Sequence, residues 1–190
     1  MKFFSSQCSF DYPWAHVSAS AWKKYPNEMS THVVAVDVLR REVDPVSGIL
    51  TTERLITCKQ NIPRWLLAIV GGRDTSYVRE VSEVDPVTKT LTLRSQNLTM
   101  NNLLSVQETV VYSPDMADPS KTIFDQTARI EAYATFQRLC NKIEEWSVER
   151  FRQNAALGRL GFESVLKKLA DSVPDNMLQA ASLQTAAAKI

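Results

Sequence analysis

Seven stretches in which apolar residues recur at every second position precede one long stretch in which they recur about every 3.6. That order of periods restricts the fold more than any other feature of the chain. The period-two stretches cover residues 2–10, 31–43, 49–59, 75–84, 90–99, about 102–112 and about 122–132. Side chains alternate across a strand, so each stretch has one face fit for burial. The turns Asp44-Pro45-Val46-Ser47-Gly48 and Asp85-Pro86-Val87-Thr88-Lys89 link two pairs as hairpins, and a polar loop with Pro114 and Pro119 joins the last pair. Such connections are too short for a parallel crossover, so an antiparallel sheet is expected. Asp11-Tyr12-Pro13 signals a helix with proline at its first position, Trp14, Val17, Ala21 and Trp22 form its stripe, and Pro26 stops it. From Ala134 to about Ala170 a long closing helix is expected, with Phe136, Leu139, Cys140, Ile143 and Trp146 on one stripe. Gly158 and Gly161 are its expected bending points. The class is therefore α+β, with one domain over residues 1–170 and a flexible or partly helical tail over 171–190, rich in Ala, Ser and Gln.

Composition removes several functions. The 190 residues carry 22 Lys+Arg against 21 Asp+Glu, a formal charge of +1, which supplies no broad positive field for nucleic acid. A hydrophobic content of 44% excludes a disordered chain. Cys8, Cys58 and Cys140 have neither the number nor the spacing of a disulfide framework or a CxxC metal site, and read as buried filler. Residues 1–8 show no signal peptide or arginine-rich presequence, so no cleaved address is expected. The run Trp65 to Val70 is far shorter than the roughly 20 residues of a spanning helix.

The informative residues are polar ones on apolar faces. Arg54 shares parity with Leu50, Ile56 and Cys58; Asn97 with Leu91 and Leu93; Glu108 with Leu104, Val106, Val110 and Tyr112; Gln126 with Phe124, Ala128 and Ile130. His32 shares that of Val34, Val36 and Val38, with Asp37 and Arg41 on the other side. In the closing helix, steps of seven and four from Ile143 reach Arg150 and Asn154. An unpartnered buried polar group costs about 1–3 kcal/mol, so these residues either pair internally, with Arg54 or Arg150 meeting Glu108, or face a cavity.

Asn61 to Arg73 is a second anomaly, a strongly apolar segment between strands otherwise joined by tight turns, ending in Gly71 and Gly72 as a hinge. It reads as a short helix plugging the core, as a lid over a cavity, or as a wedge for a membrane. Catalytic signals are weak: there is no GxSxG, HExxH or P-loop, and His16 and His32 have no ligand or triad spacing. Glu144-Glu145, Asp37 and Glu53 read as solvated carboxylates. No enzyme, metal site or cofactor is expected.

Lys24-Tyr25-Pro26-Asn27 followed by His32 to Val38 resembles the start of the PRELI/slowmo family of mitochondrial lipid-transfer proteins. The likeness continues through Thr52-Glu53-Arg54-Leu55, Pro63-Arg64-Trp65, Arg79 to Ser82, Arg94 to Thr99 and Glu145-Trp146-Ser147. Tyr12-Pro13-Trp14 and Asn101 to Val106 resemble the slowmo branch, including its fungal members. The resemblance implies a START-like fold in which a curved seven-stranded sheet, the closing helix and an omega-loop lid enclose one phospholipid as cargo. It implies non-enzymatic transfer, most of all of phosphatidylserine, from outer to inner mitochondrial membrane for phosphatidylethanolamine synthesis. Phosphatidic acid transfer and a solid-core interaction module are the alternatives. It also implies work in the intermembrane space, transient contact with membranes of anionic lipid, no nucleic acid, and an obligate heterodimer with a small twin-CX9C helical-hairpin protein. Its headgroup positions fall on Lys24, His32, Arg54, Arg150 and Asn154, with Asn97 beside them, and its lid on Pro63, Trp65, Leu66, Leu67, Ile69, Gly71 and Gly72. Family members usually carry a lysine just past the helix asparagine, where this chain has Ala155-Ala156-Leu157, and an inner lysine of the phosphatidic-acid branch falls at or near Cys58. Fewer cations suit a phosphodiester whose serine ammonium and carboxylate need mixed partners.

Overall fold

The computed structural model describes residues 1–59, 62–69, 74–134 and 137–172, with Ala68 and Ile69 described by backbone alone. Gly71 and Gly72, Phe136, the side chain of Ile69 and the tail beyond residue 172 lie outside the described residues. Strands β1 (Lys2–Phe10), β2 (Val33–Val43), β3 (Leu50–Lys59), β4 (Thr75–Asp85), β5 (Thr90–Asn97), β6 (Leu104–Pro114) and β7 (Thr122–Ala132) form one sheet. Its order is β1-β7-β6-β5-β4-β3-β2, antiparallel throughout. The meander from β2 to β7 follows from the short turns, and β1 closes against β7.

Helix α1 (Trp14–Ser20) and a 3-10 turn over Ala21–Lys23 cross between the two sheet edges. Pro13 is its N-cap rather than its first residue, and its carbonyl accepts the His16 and Val17 amides. Helix α2 (Arg64–Ile69) lies between β3 and β4. Helix α3 runs unbroken from Gln137 to Asp171, so neither Gly158 nor Gly161 ends it. Gly161 instead admits a neighbour: a Cβ there would collide with the side-chain amide of Asn27.

Two expectations about side-chain direction fail. Register shifts in β2 between Val33 and Ala35 and between Val38 and Arg40 reverse the alternation, because a bulge adds a residue to one strand only. Val33 is therefore buried while Val34 is 56% exposed. Arg41 comes to the inner side, opposite Thr52, and its Nε donates to Thr52 Oγ1 at 3.2 Å. Glu144 is not solvated but 3% exposed. It accepts the Met1 ammonium at 2.5 Å and the Ala132 amide at 3.1 Å. Burial alone would raise its carboxyl, but these partners hold it below its ordinary value.

The packed core lies at the α1 end of the sheet, where Phe10, Tyr112, Phe124 and Phe162 meet largely edge to face and Val17, Leu91 and Leu166 fill between them. No helix among the described residues is long and apolar enough to cross a membrane.

Candidate functional site

Between the inner face of the sheet and α3 lies a cavity of about 1700 Å³, its open mouth included. One end is apolar. There α2 presses Leu66, 3% exposed, against Ala132, Cys140 and Ile143, with Ile62, Leu103 and Leu104 alongside. Pro63 starts this short helix by accepting the Leu66 and Leu67 amides at 2.9 and 2.8 Å. Ile62 and Leu66 line the cavity, Leu67 is half-buried, and Trp65 carries the Lys142 ammonium 4.3 Å from its ring centre. The opposite end is floored by the aromatic cluster.

The middle is polar, because of register. Arg54, Glu80, Ser95 and Glu108 are successive cross-strand partners on β3, β4, β5 and β6, and so form one row across the inner face. Arg54 donates from Nε at 2.9 Å and Nη2 at 2.5 Å to Glu80 Oε1. Ser95 donates to Glu108 Oε2 at 2.9 Å, and Gln126 to Glu108 Oε1 at 2.5 Å. Glu80, Ser95, Glu108 and Gln126 line the cavity; Arg54 does not. It is 4% exposed, with its guanidinium carbon 5.5 Å from the Trp22 ring centre, on a ring that Arg41 also approaches, at 4.6 Å. Arg54 thus stands behind the wall and holds Glu80, and among the described residues neither Arg54 nor Arg150 pairs with Glu108.

Opposite this row, α3 presents Ser147, Arg150, Asn154, Gly158 and Phe162 in steps of three and four residues, one stripe of a helix. Ser147 Oγ and Arg150 Nε are buried with no hydrogen-bond partner among the described residues. A Cβ on Gly158 would meet nothing within 4 Å, so the helix there borders open space.

Lys24 and His32 complete the polar belt. Burial disfavours the Lys24 charge, yet Tyr25, Tyr112, Glu108 and Glu80 more than offset it, so its ammonium is held above its ordinary pKa. Its Nζ lies 5.8 Å from the Phe162 ring centre and 5.4 Å from that of Tyr25. Burial, then Arg150 and Lys24, hold the His32 imidazole below its usual value and hence neutral at neutral pH. Burial pushes the Cys58 thiol up to about 11, so this wall residue is uncharged. Asn97 borders the cavity, but its amide donates to the Thr99 and Leu104 carbonyls and accepts the Val106 amide. It clasps the β5–β6 loop.

Of the six expected headgroup residues, Lys24, His32, Asn97, Arg150 and Asn154 reach the cavity and Arg54 supports it from behind. Glu80, Ser95 and Ser147 were missed. Parity held the signal for two of them, since Glu80 alternates with Val78 and Ser82, and Ser95 with Leu93 and Asn97. A solid-core module would fill this space with side chains and does not describe the molecule.

One antiparallel sheet closed by a long helix over a cavity defines a protein of START-like fold. The fold recurs in the crystal structure of TTHA0849 from Thermus thermophilus, at a TM-score of 0.58 and 17% identity over 90% of this chain and 100% of that one. It recurs also in Zhui aromatase/cyclase from Streptomyces sp. R1128, at 0.60 and 9% over 88% and 94%. Identities so low establish the fold alone. The chain itself belongs to the PRELI-like family, whose pattern matches residues 15–172. It is 54% identical over 173 residues to "Protein UPS2, mitochondrial" of Saccharomyces cerevisiae, covering 90% of this chain and 75% of that protein. It is 52% identical over 173 residues to "UPS-like protein C36.10" of Schizosaccharomyces pombe, covering 91% and 93%. A "Protein slowmo homolog" of Dictyostelium discoideum shares 30% over 169 residues, covering 89% and 73%.

Proposed function

We propose that this protein carries single phospholipids, phosphatidylserine foremost, between the outer and inner mitochondrial membranes, feeding phosphatidylethanolamine synthesis without altering the cargo chemically. Family membership supports the coarser role of mitochondrial lipid transfer. The observation that carries the finer reading is the polar belt midway along an otherwise apolar cavity, with cations Lys24, Arg150 and Arg159 and carboxylates Glu80 and Glu108 in one lining.

Exposing a two-chain lipid to water uncovers about 30 methylenes at ~0.8 kcal/mol each, roughly 24 kcal/mol. A dry apolar cavity removes most of that barrier. The belt then selects the headgroup, the phosphate and carboxylate meeting the basic residues and the ammonium a carboxylate. A doubly charged phosphomonoester has no ammonium to place on a carboxylate and is repelled by Glu108, which lacks the arginine that Glu80 has. Helix α2, at the apolar end, is the lid through which the acyl chains leave. The reading carries with it a small twin-CX9C helical-hairpin partner and the intermembrane space as the site of action, both from the family resemblance.

The test is mass spectrometry of lipid co-purified with the partner complex, paired with transfer between liposomes. Phosphatidylserine enriched in the bound fraction and carried faster than phosphatidic acid is the expected result; an empty protein that transfers no phospholipid overturns it.

A further inference from the structure

We infer that Glu108 is the residue that selects cargo for a primary ammonium, a role resting on the reading of phosphatidylserine as cargo. The two carboxylates of the polar row are not equivalent. Glu80 and Glu108 lie two strands apart, about 10 Å between backbones at ordinary sheet spacing. Glu80 is neutralised by Arg54 through two charge-assisted hydrogen bonds. Glu108 receives hydrogen bonds only from neutral donors, Ser95 and Gln126, and has no ion-pair partner among the described residues. Lys24 influences both carboxylates but pairs with neither. Glu108 is thus a carboxylate at the cavity surface with no direct ion pair among the described residues and only the through-space influence of Lys24 opposite it, an arrangement that a cation arriving with the cargo completes.

The opposite wall has the complementary deficit. Ser147 is 6% exposed and lines the cavity, and its Oγ and the neighbouring Arg150 Nε are donors with no acceptor among the described residues. The sheet wall therefore offers a carboxylate and the helix wall offers donors and a guanidinium. A headgroup with an ammonium at one end and anionic oxygens at the other satisfies both at once, ammonium on Glu108 and oxygens on Ser147 and Arg150. Its two hydrogen bonds hold the Glu108 carboxylate in place, so the ligand need not order it.

The experiment measures transfer by the full chain in its partner complex from phosphatidylcholine vesicles doped with phosphatidylserine, N-acetyl-phosphatidylserine or phosphatidylglycerol. The second lipid keeps phosphate and carboxylate and lacks the ammonium; the third is an anionic diester with neither. A charge-assisted hydrogen bond corresponds to a preference of about tenfold or more for phosphatidylserine over its N-acetyl form. Glu108→Gln, nearly isosteric, narrows that preference to about twofold by losing phosphatidylserine transfer while phosphatidylglycerol transfer persists. An undiminished preference in Glu108→Gln overturns the proposal, as does a preference erased by Glu80→Gln and not by Glu108→Gln. Should Gln at 108 unfold the chain, Glu108→Asp replaces it: a preference lowered by the retreat of the carboxylate supports the assignment, and an unchanged one overturns it. A parent complex that moves none of the three lipids removes the transfer reading itself, whereas one that moves all three equally removes only the role of Glu108.

Discussion

Replacing Arg54 with alanine separates two roles that this residue could have. As a headgroup ligand at a cavity surface it would be removable with little effect on folding. The structure instead places it 4% exposed with both hydrogen bonds on Glu80, itself 8% exposed. Its removal leaves a buried carboxylate without its cation, a change that costs about 3–5 kcal/mol. Against a total stability of about 5–15 kcal/mol, that is a large fraction. At roughly 2–4 °C per kcal/mol for a chain of this size, Tm falls by about 6–20 °C. Neutralising the stranded group by Glu80→Gln in the same background recovers most of the loss, because the penalty belongs to the unpaired charge. The assay is a thermal melt with urea unfolding on the parent, both single variants and the double variant, alongside liposome transfer. An Arg54→Ala protein that melts within about 2 °C of the parent yet transfers no lipid would refute the reasoning and return Arg54 to the headgroup.

Gly158→Leu inserts a side chain where a Cβ meets nothing within 4 Å. It strengthens the helix by up to about 1 kcal/mol while lowering co-purified lipid, a melt and a lipid count on one sample checking both. Gly161→Ala drives a methyl group into Asn27, whose amide organises the turn to Ser30, and lowers stability by about 1–3 kcal/mol in urea unfolding. Leu66→Glu places a carboxylate among Ala132, Cys140 and Ile143; hydrogen exchange should speed at the Leu66 and Leu67 amides but not in β6 or β7, with transfer lost. His32 has a folded pKa below 6.5, so the unfolded chain protonates first as pH falls. Stability contributed by the neutral ring is complete above about pH 6.5 and declines below it, and unfolding of His32→Asn at stepped pH should show a shallower acid slope.

What the chain determines by itself is local. Alternation, paired turn residues and the change of period from two to 3.6 specify seven strands and a closing helix, because each rests on neighbours within a turn of one another. Parity likewise exposed Arg54, Asn97, Glu108 and Gln126 as polar groups on inner faces, and helical phase reached Arg150 and Asn154. What those groups do depended on register. Arg54 meets Glu80 across 26 residues of chain and Glu108 meets Gln126 across 18, while Asn97 turns to backbone nearby. Two bulges re-aimed β2, bringing Arg41 inward and turning Val34 out, and a bulge needs no sequence signal of its own. Glu144 lies on the sequence's polar helix face until the fold brings to it an amino terminus 143 residues away. Propensity acts between near neighbours, whereas the partner of a buried charge is chosen by which strands lie side by side, and only the assembled sheet decides that.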